Sequence, residues 1–256
     1  MRIAHLSDMH LLERTERHGF GVHFVSLGRR LDAAGRLDKA RAAIAHARAA
    51  GADHFLFTGD LTETGEAAQF EALARLLAEC NLHGDEVTLV PGNHDAYASP
   101  TGFRDALEGP LRPWSRNAAG EPGKIVEVGG AFVMPIDATF HQPVTRSAGR
   151  YTDELRAAVE RRIADAALAK APLVLAIHHP PHPRPGPWQW VDGLLGCGQL
   201  LDAIARCEHV VVAHGHLHKS GLRTHGLARV VGAAAIVDGA LSRVLGEAAA
   251  AIAQVA

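Results

Sequence analysis

Short apolar runs alternate along the chain with longer amphipathic segments. Strands are predicted where the apolar runs lie, over residues 2–7, 54–58, 87–90, 173–177 and 209–213. Helices are predicted over residues 38–50, 66–79, 153–169 and 200–207, which carry apolar residues at helical spacing on one face. Two more apolar runs, 125–128 and 131–136, flank Gly129-Gly130, which is typical of a β-hairpin. Strands that alternate with helices predict an α/β domain.

Two long segments interrupt this alternation. Residues 11–36 are polar and rich in arginine, and residues 180–199 contain five prolines together with Trp188 and Trp190. We expect both to be surface loops, and loops of this length often carry function. The sequence shows no internal repeat and no linker, so a single domain over residues 1–256 is predicted. Its alanine-rich C-terminal tail is predicted to be helical.

Polar residues that can bind metal ions follow five of the predicted strands. The clusters are Asp8-Met9-His10, Gly59-Asp60, Gly92-Asn93-His94-Asp95, His178 and Gly215-His216-Leu217-His218. Ligands of α/β domains bind outside the carboxyl ends of the strands, so these clusters are expected to converge. Within each pair of residues two apart, an extended backbone would point both side chains to the same side.

These clusters supply carboxylate, amide and imidazole groups but no thiolate, a donor set that suits Mn, Fe or Zn. The candidate ligands are Asp8, His10, Asp60, Asn93, His178, His216 and His218. Seven ligands are too many for one ion that must also hold a water molecule. They fit two ions that share a carboxylate.

Composition excludes several other classes of protein. The chain has a net charge of -2 and a pI of about 6.8, so it offers no basic field to nucleic acid or to an anionic membrane. No stretch approaches the roughly 18 apolar residues of a membrane span, and no secretory signal is apparent. Cys80, Cys197 and Cys207 form no C-x-x-C pair. Free thiols in a reducing cytoplasm are therefore the expectation.

Taken in order, the five clusters resemble the calcineurin-like metallophosphoesterase superfamily over residues 3–218. The resemblance implies a four-layer αββα sandwich, in which two mixed sheets are packed face to face and flanked by helices. It also implies a dinuclear centre. Asp8, His10 and His218 would bind the first ion, Asn93, His178 and His216 would bind the second, and Asp60 would bridge them.

The same resemblance implies a mechanism, in which a hydroxide held between the two ions attacks the phosphorus. His94 would lie over the phosphoryl group as a proton donor or charge stabiliser, and Asp95 would orient it. The H-x-P pattern selects His178 as a ligand, which leaves His179 to support the ligands or to face the substrate. His5 and His214 are expected to be packed histidines.

The detailed strings favour one branch of the superfamily. Phosphoprotein phosphatases carry GDxVDRG and GNHE, whereas this chain has GDLTETG and GNHD. The L-S-D-M-H-L opening and the H-H-P-P block resemble bacterial class III cyclic nucleotide and glycerophosphodiester phosphodiesterases. The implied function is metal-dependent hydrolysis of a small-molecule phosphodiester. A phosphomonoesterase and a non-catalytic metal-binding scaffold remain alternatives, and the sequence leaves open whether the chain forms a homo-oligomer.

Substrate selectivity is expected to come from the two long segments. Arg14, Arg17, Arg29 and Arg30 in the first could bind phosphate oxygens. Trp188 and Trp190 in the second could stack on a base or cover an apolar leaving group. Alternatively, both tryptophans pack against the core of the chain or against a partner.

Overall fold

The computed structural model describes residues 1–13, 22, 26, 28–165, 168–245 and 252–253. The helices are α1 (Ala33–Ala49), α2 (Ala67–Glu79), α3 (Gly102–Glu108), α4 (Asp153–Ile163), α5 (Trp188–Asp192) and α6 (Cys197–Ile204). The strands are β1 (Ile3–Leu6), β2 (His54–Thr58), β3 (Val87–Val90), β4 (Val126–Val128), β5 (Ala131–Ile136), β6 (Gly149–Arg150), β7 (Leu173–Ile177), β8 (Leu194–Leu195), β9 (Val210–His214), β10 (Gly221–His225), β11 (Ala228–Gly232), β12 (Arg243–Leu245) and β13 (Ile252–Ala253). Short 3₁₀ turns lie at His94–Ala96, Arg112–Asn117, Leu168–Lys170 and Ile236–Asp238.

The strands form two large sheets, and both are mixed, as predicted. The first has the order β13-β12-β1-β2-β3, with β1, β2 and β3 parallel and β12 antiparallel to β1. The second has the order β10-β11-β9-β7-β5-β4, with a parallel centre and an antiparallel strand at each edge. A small third sheet pairs β6 with β8.

Alternate residues of the central strand β7 pack into two different hydrophobic cores. Val174 and Ala176 of β7 pack in a core that also contains residues of β1, β2, β3, α1 and α2. Leu173 and Leu175 of the same strand pack in a second core with residues of α4 and α6. Because successive strand residues point to opposite faces, this division places the sheets face to face with helices outside. The four-layer αββα sandwich is therefore confirmed.

The helix ends differ from the predicted bounds. Helix α1 begins at Ala33 instead of residue 38, because the Asp32 carboxylate accepts a hydrogen bond from the Gly35 amide at 2.9 Å and caps it. Helix α4 ends at Ile163, and α6 covers Cys197–Ile204 instead of residues 200–207. Apolar periodicity marks the buried face of a helix and says little about where the helix stops.

Two segments have a different structure from the one predicted. Residues 180–199 contain helix α5 and strand β8 instead of loop alone. In the tail that was predicted to be helical, Arg243–Leu245 and Ile252–Ala253 are strands, because β12 pairs with the free edge of β1. The rest of that tail, like Arg14 and Arg17, lies outside the described residues. In the described ranges, no helix is long and apolar enough to cross a membrane.

Candidate functional site

The carboxyl edges of the two sheets meet at one place, and every predicted site residue lies there. The first sheet supplies Asp8, His10, Asp60, Asn93, His94 and Asp95, and the second supplies His178, His216 and His218. The His216 amide donates to both carboxylate oxygens of Asp8, at 3.2 Å each, which joins the two sheets. The convergence that the sequence predicted is thus a property of the parallel strand order.

The backbone of the ligand turns is left-handed instead of extended. Five of the six non-glycine residues with positive φ in the described ranges are Asp8, His10, Asp60, His216 and His218. Residues seldom adopt this conformation unless the surrounding structure holds them in it, and they cluster at functional sites. The expectation that an extended backbone aligns these pairs is wrong. Tight turns do so, and amide hydrogen bonds such as Asp8 N to Gly59 O at 3.0 Å fix them.

Two motif glycines are required because a neighbouring strand end lies against them. A Cβ on Gly92 would overlap Oδ1 of Asp60, and a Cβ on Gly215 would overlap Oγ of Ser7 and crowd Asp8. Neither glycine has a positive φ, so the requirement is for close approach and not for backbone freedom. The turns can pack closely enough to share ligands only because these side chains are missing.

Asp8, His10 and His218 form the first group of donors, whose atoms lie within 4.8 Å of one another. Nδ1 of His10 lies 3.3 Å from a Glu63 carboxylate oxygen, and Nδ1 of His218 lies 2.7 Å from an Asp238 carboxylate oxygen. These carboxylates favour hydrogen on both Nδ1 atoms, and in those tautomers the two Nε2 lone pairs face each other at 3.3 Å. Two opposed lone pairs are stable only with a cation between them.

Asp60 shows the same pattern towards the second sheet. Nδ1 of His178 donates to the Thr58 carbonyl at 2.7 Å, so the Nε2 lone pair faces Oδ2 of Asp60 at 3.2 Å. Oδ2 also lies 3.7 Å from Nε2 of His10. Burial alone would lower the pKa of His178, but the charge of Asp60 outweighs it and raises that pKa to about 9. The site thus attracts positive charge, as a proton or as a metal ion.

Asn93, His178 and His216 make up the rest of the donor set. The Asn93 amide donates to the Tyr97 hydroxyl at 2.9 Å, and its buried Oδ1 has no hydrogen-bond partner in the part of the chain that the structure describes. Nε2 of His216 donates to the Asp192 carbonyl at 2.9 Å, which leaves Nδ1 bare. Each donor atom is therefore held in place by a bond on the opposite side of its group.

The donor set fits metal ions. Two ligands bound at about 2.1 Å to one ion are about 3.0–3.6 Å apart at ordinary coordination angles. The separations of 3.2, 3.3 and 3.7 Å between donor atoms at Asp60, His10, His178 and His218 are of this size. Asp60 belongs to one group with Asp8 and His178 and to another with His10 and His94. Asp60 therefore faces candidate ligands from both sheets, His10 from the first and His178 from the second.

His94 lies at the mouth of this site, but Asp95 does not orient it. Nδ1 of His94 donates to the Glu63 carbonyl at 2.7 Å, which turns Nε2 towards Asp60 at 3.9 Å. The Asp95 carboxylate instead accepts from the amides of Leu61, Thr62 and Gly92 at 2.8–3.1 Å. Asp95 therefore ties the turn after β2 to the turn after β3. The backbone of Glu63 performs the orienting role that the sequence assigned to Asp95.

A cleft of about 330 Å³ opens above the donors. Besides candidate ligands and His94, it is lined by Arg29, Tyr97, Val144, Arg146, Trp188, Val191 and Leu217. Trp188 and Trp190 are 54% and 61% exposed, so neither packs in the core of this chain. Only Trp188 lines the cleft, whereas the Trp190 ring lies 4.3 Å from the Arg146 guanidinium.

Glu63, Asp238 and Tyr97 contact ligands but were not predicted. Glu63 is fully buried, pairs with Arg36 and accepts a hydrogen bond from Ser26 at 2.7 Å. The position of Glu63, three residues after Asp60, is the sequence feature that could have identified it as a site residue. Asp238 lies 20 residues beyond His218, and no local pattern connects the two. His5 and His214 are buried and bonded to Thr58 and Gly215, so both are packed as predicted.

A family model and a named relative both match most of this chain. The model of the family described as calcineurin-like phosphoesterase matches residues 1–220. A protein of Rhodococcus erythropolis, described as a probable cyclic nucleotide phosphodiesterase, is 27% identical over 225 residues. The match covers 87% of this chain, which spans 66% of that protein's length.

Solved structures share the fold. The protein TT1561 of Thermus thermophilus aligns with a TM-score of 0.60 at 15% identity, over 95% of this chain and 93% of that one. A dimetal phosphatase from Danio rerio aligns with a TM-score of 0.59 at 12% identity, over 95% and 91% of the two chains. At these identities the likeness shows the common architecture alone.

Proposed function

The chain belongs to the calcineurin-like phosphoesterase family, and on that premise we propose that it hydrolyses small-molecule phosphodiesters with two metal ions. One observation carries the proposal. Ring nitrogens and carboxylate oxygens whose lone pairs face one another at 3.2–3.7 Å surround Asp60 on both sides. Asp8, His10 and His218 would hold one ion, Asn93, His178 and His216 the other, and Asp60 both. The donor set suits Mn, Fe or Zn.

Held by these residues, two such ions would supply an activated water and would stabilise charge on the phosphoryl oxygens. The protein side chains supply orientation and proton transfer. Because the Glu63 carbonyl holds Nδ1 of His94, Nε2 of His94 is the atom that can give a proton to the leaving oxygen. The three free cysteines agree with the cytoplasmic location that we propose for this reaction.

The cleft favours a diester over a monoester. Val144, Trp188, Val191 and Leu217 give it an apolar wall, against which a second ester group can pack. Of the two arginines that line it, Arg29 lies 3.6 Å from Glu63, and Arg146 donates to the Trp190 carbonyl at 2.8 Å. Glu63 offsets the charge of Arg29, and the Trp190 carbonyl occupies one donor of Arg146, which leaves fewer contacts for the dianion of a monoester. The description of the Rhodococcus relative supports a cyclic nucleotide as substrate.

Substrate preference tests this function. We expect a higher kcat/KM for bis(p-nitrophenyl) phosphate or a cyclic nucleotide than for p-nitrophenyl phosphate, measured with Mn²⁺-loaded protein. Trp188→Ala should reduce that preference by roughly 3–10-fold, because one stacking contact is worth about 0.5–1.5 kcal/mol. Leu227→Ala, which truncates an equally exposed side chain outside the cleft, should leave the preference unchanged. A wild-type preference for the monoester would refute the diester assignment.

Metal content tests the dinuclear centre separately. Protein saturated with Mn²⁺ and then desalted should retain close to two ions per chain, because Asp60 belongs to two of the donor groups, one with His10 and His94 and one with Asp8 and His178. Asn93→Ala should weaken mainly the ion that Asn93, His178 and His216 would hold. Elemental analysis gives the number of ions per chain in the wild type and in Asn93→Ala. A firm value of one ion for the wild type, with no weaker second site in a titration, would show that half of the ligand set is misassigned.

A further inference from the structure

His179 is a histidine for which the proposed reaction has no use, although it lies beside the ligands. Its side chain is fully buried and does not line the cleft, so it cannot face the substrate. Nε2 donates to the Ser147 carbonyl at 2.9 Å. Nδ1 therefore carries a bare lone pair, and it has no hydrogen-bond partner among the described residues. A buried polar atom without a partner is destabilising and calls for an explanation.

His179 also belongs to a group of three histidines whose ring nitrogens converge. One ring nitrogen from each of His178, His179 and His216 lies within 4.8 Å of the others. Nδ1 of His178 and Nε2 of His216 are occupied by the carbonyls of Thr58 and Asp192. The nitrogens left over are Nε2 of His178, Nδ1 of His179 and Nδ1 of His216. In their neutral form all three offer a lone pair, and none of them then donates to another.

The protein holds the His179 ring rigidly in this position. A Cβ on Gly149 would overlap Nδ1 and Cγ of the ring, so strand β6 lies directly against it. Strand β6 pairs with β8, and β8 begins two residues after Asp192, the last residue of α5. Strand β6 thus lies against His179, and the segment just before β8 supplies the partner of His216. Such fixing from behind is what metal-binding imidazoles need.

We propose that His179 is an additional ligand of the ion that Asn93, His178 and His216 hold. The proposal rests on the dinuclear centre proposed above. It makes the two ion sites unequal, with three imidazoles at this site and two at the site of His10 and His218. Imidazole suits Zn, Fe and Ni, whereas carboxylate suits Mn. The nitrogen-rich site is therefore the one that discriminates more strongly against Mn²⁺.

Metal-bond detection by NMR tests this ligand directly. Protein labelled with ¹⁵N-histidine and loaded with ¹¹³Cd²⁺ should show a ¹¹³Cd–¹⁵N coupling at Nδ1 of His179, which a group that only supports the ligands cannot produce. His179→Gln assigns the resonance. His179→Ala should retain one tightly bound Zn²⁺ and bind the second at least about 100-fold more weakly, beyond the range of a supporting partner.

His54→Ala is the matched control. His54 is also buried, and its Nε2 is hydrogen-bonded to the Thr88 hydroxyl at 2.9 Å. It lies at the start of β2, at the end of the strand away from the candidate site. It should retain both ions. Couplings at His178 and His216 without one at His179, or unchanged affinity for both Zn²⁺ ions in His179→Ala, would overturn the proposal. Lack of phosphodiester turnover with the His179 coupling present would refute the proposed function instead, so the two failures are distinguishable.

Discussion

Asp60→Asn is expected to remove both metal ions and, with them, nearly all hydrolysis. The Asp60 carboxylate is buried, and its Oδ2 faces His10 and His178 at 3.7 and 3.2 Å. An amide at this position lacks the negative charge that both groups of ligands share. Metal-ion catalysis is worth several kcal/mol, so activity should fall by roughly 10³-fold or more. Elemental analysis after desalting should find well below one ion per chain.

Asp137→Asn is the matched control for this change. Asp137 is a half-buried carboxylate at the end of a strand of the second sheet, and it accepts two hydrogen bonds from Thr139 at 2.7 and 2.8 Å. It belongs to none of the donor groups found among the described residues. This variant should retain two ions and the activity of the wild type. Two ions in Asp60→Asn would show that Asp60 does not bridge them.

His94→Ala is expected to keep both ions but to lower kcat by roughly 10²–10⁴, the usual contribution of a general acid or base. Nε2 of His94 lies near Asp60 at the cleft, while the Glu63 carbonyl holds Nδ1. A proton donor matters less when the leaving group is already a stable anion. The loss should therefore be smaller for a p-nitrophenyl ester than for an alkyl diester.

His141→Ala is the matched control, since His141 also has Nδ1 on a backbone carbonyl, that of Ala96 at 3.1 Å, but does not line the cleft. Its kcat should equal that of the wild type. Equal losses for good and poor leaving groups in His94→Ala would indicate charge stabilisation instead of proton donation. Loss of a metal ion from the same variant would make His94 a ligand.

Much of the fold could be predicted from local patterns. Strands β2, β3 and β7 have the predicted bounds, because a continuous apolar run between polar turns can be satisfied only in the interior of a sheet. The hairpin of β4 and β5 turns at Gly129-Gly130 as predicted. The prediction of a helical C-terminal tail was wrong for the residues that the structure describes. Helix propensity is a local property, and it does not report that the edge of β1 offers backbone partners to β12.

For the site, the sequence by itself determined which residues could bind metal and that they would meet. Residues after parallel strands share one edge of a sheet, so clusters such as Asp8-Met9-His10 and His216-Leu217-His218 could be placed without coordinates. Only the tertiary structure decided how the donors are held. The bonds that fix the imidazoles come from Glu63, Asp192, Asp238 and the carbonyls of Thr58 and Ser147.

The hydrogen-bond partners of these imidazoles could not be predicted from the sequence, because they lie far away along the chain. Ser147 is 32 residues from His179, and Asp192 is 24 residues from His216. Such contacts arise from the packing of two sheets and a loop, and they leave no periodic trace in the chain. The left-handed turns at the ligands and the assignment of Trp188, but not Trp190, to the cleft wall depend on the same packing. The chain order specifies the chemistry of the donors, and the long-range contacts specify their geometry.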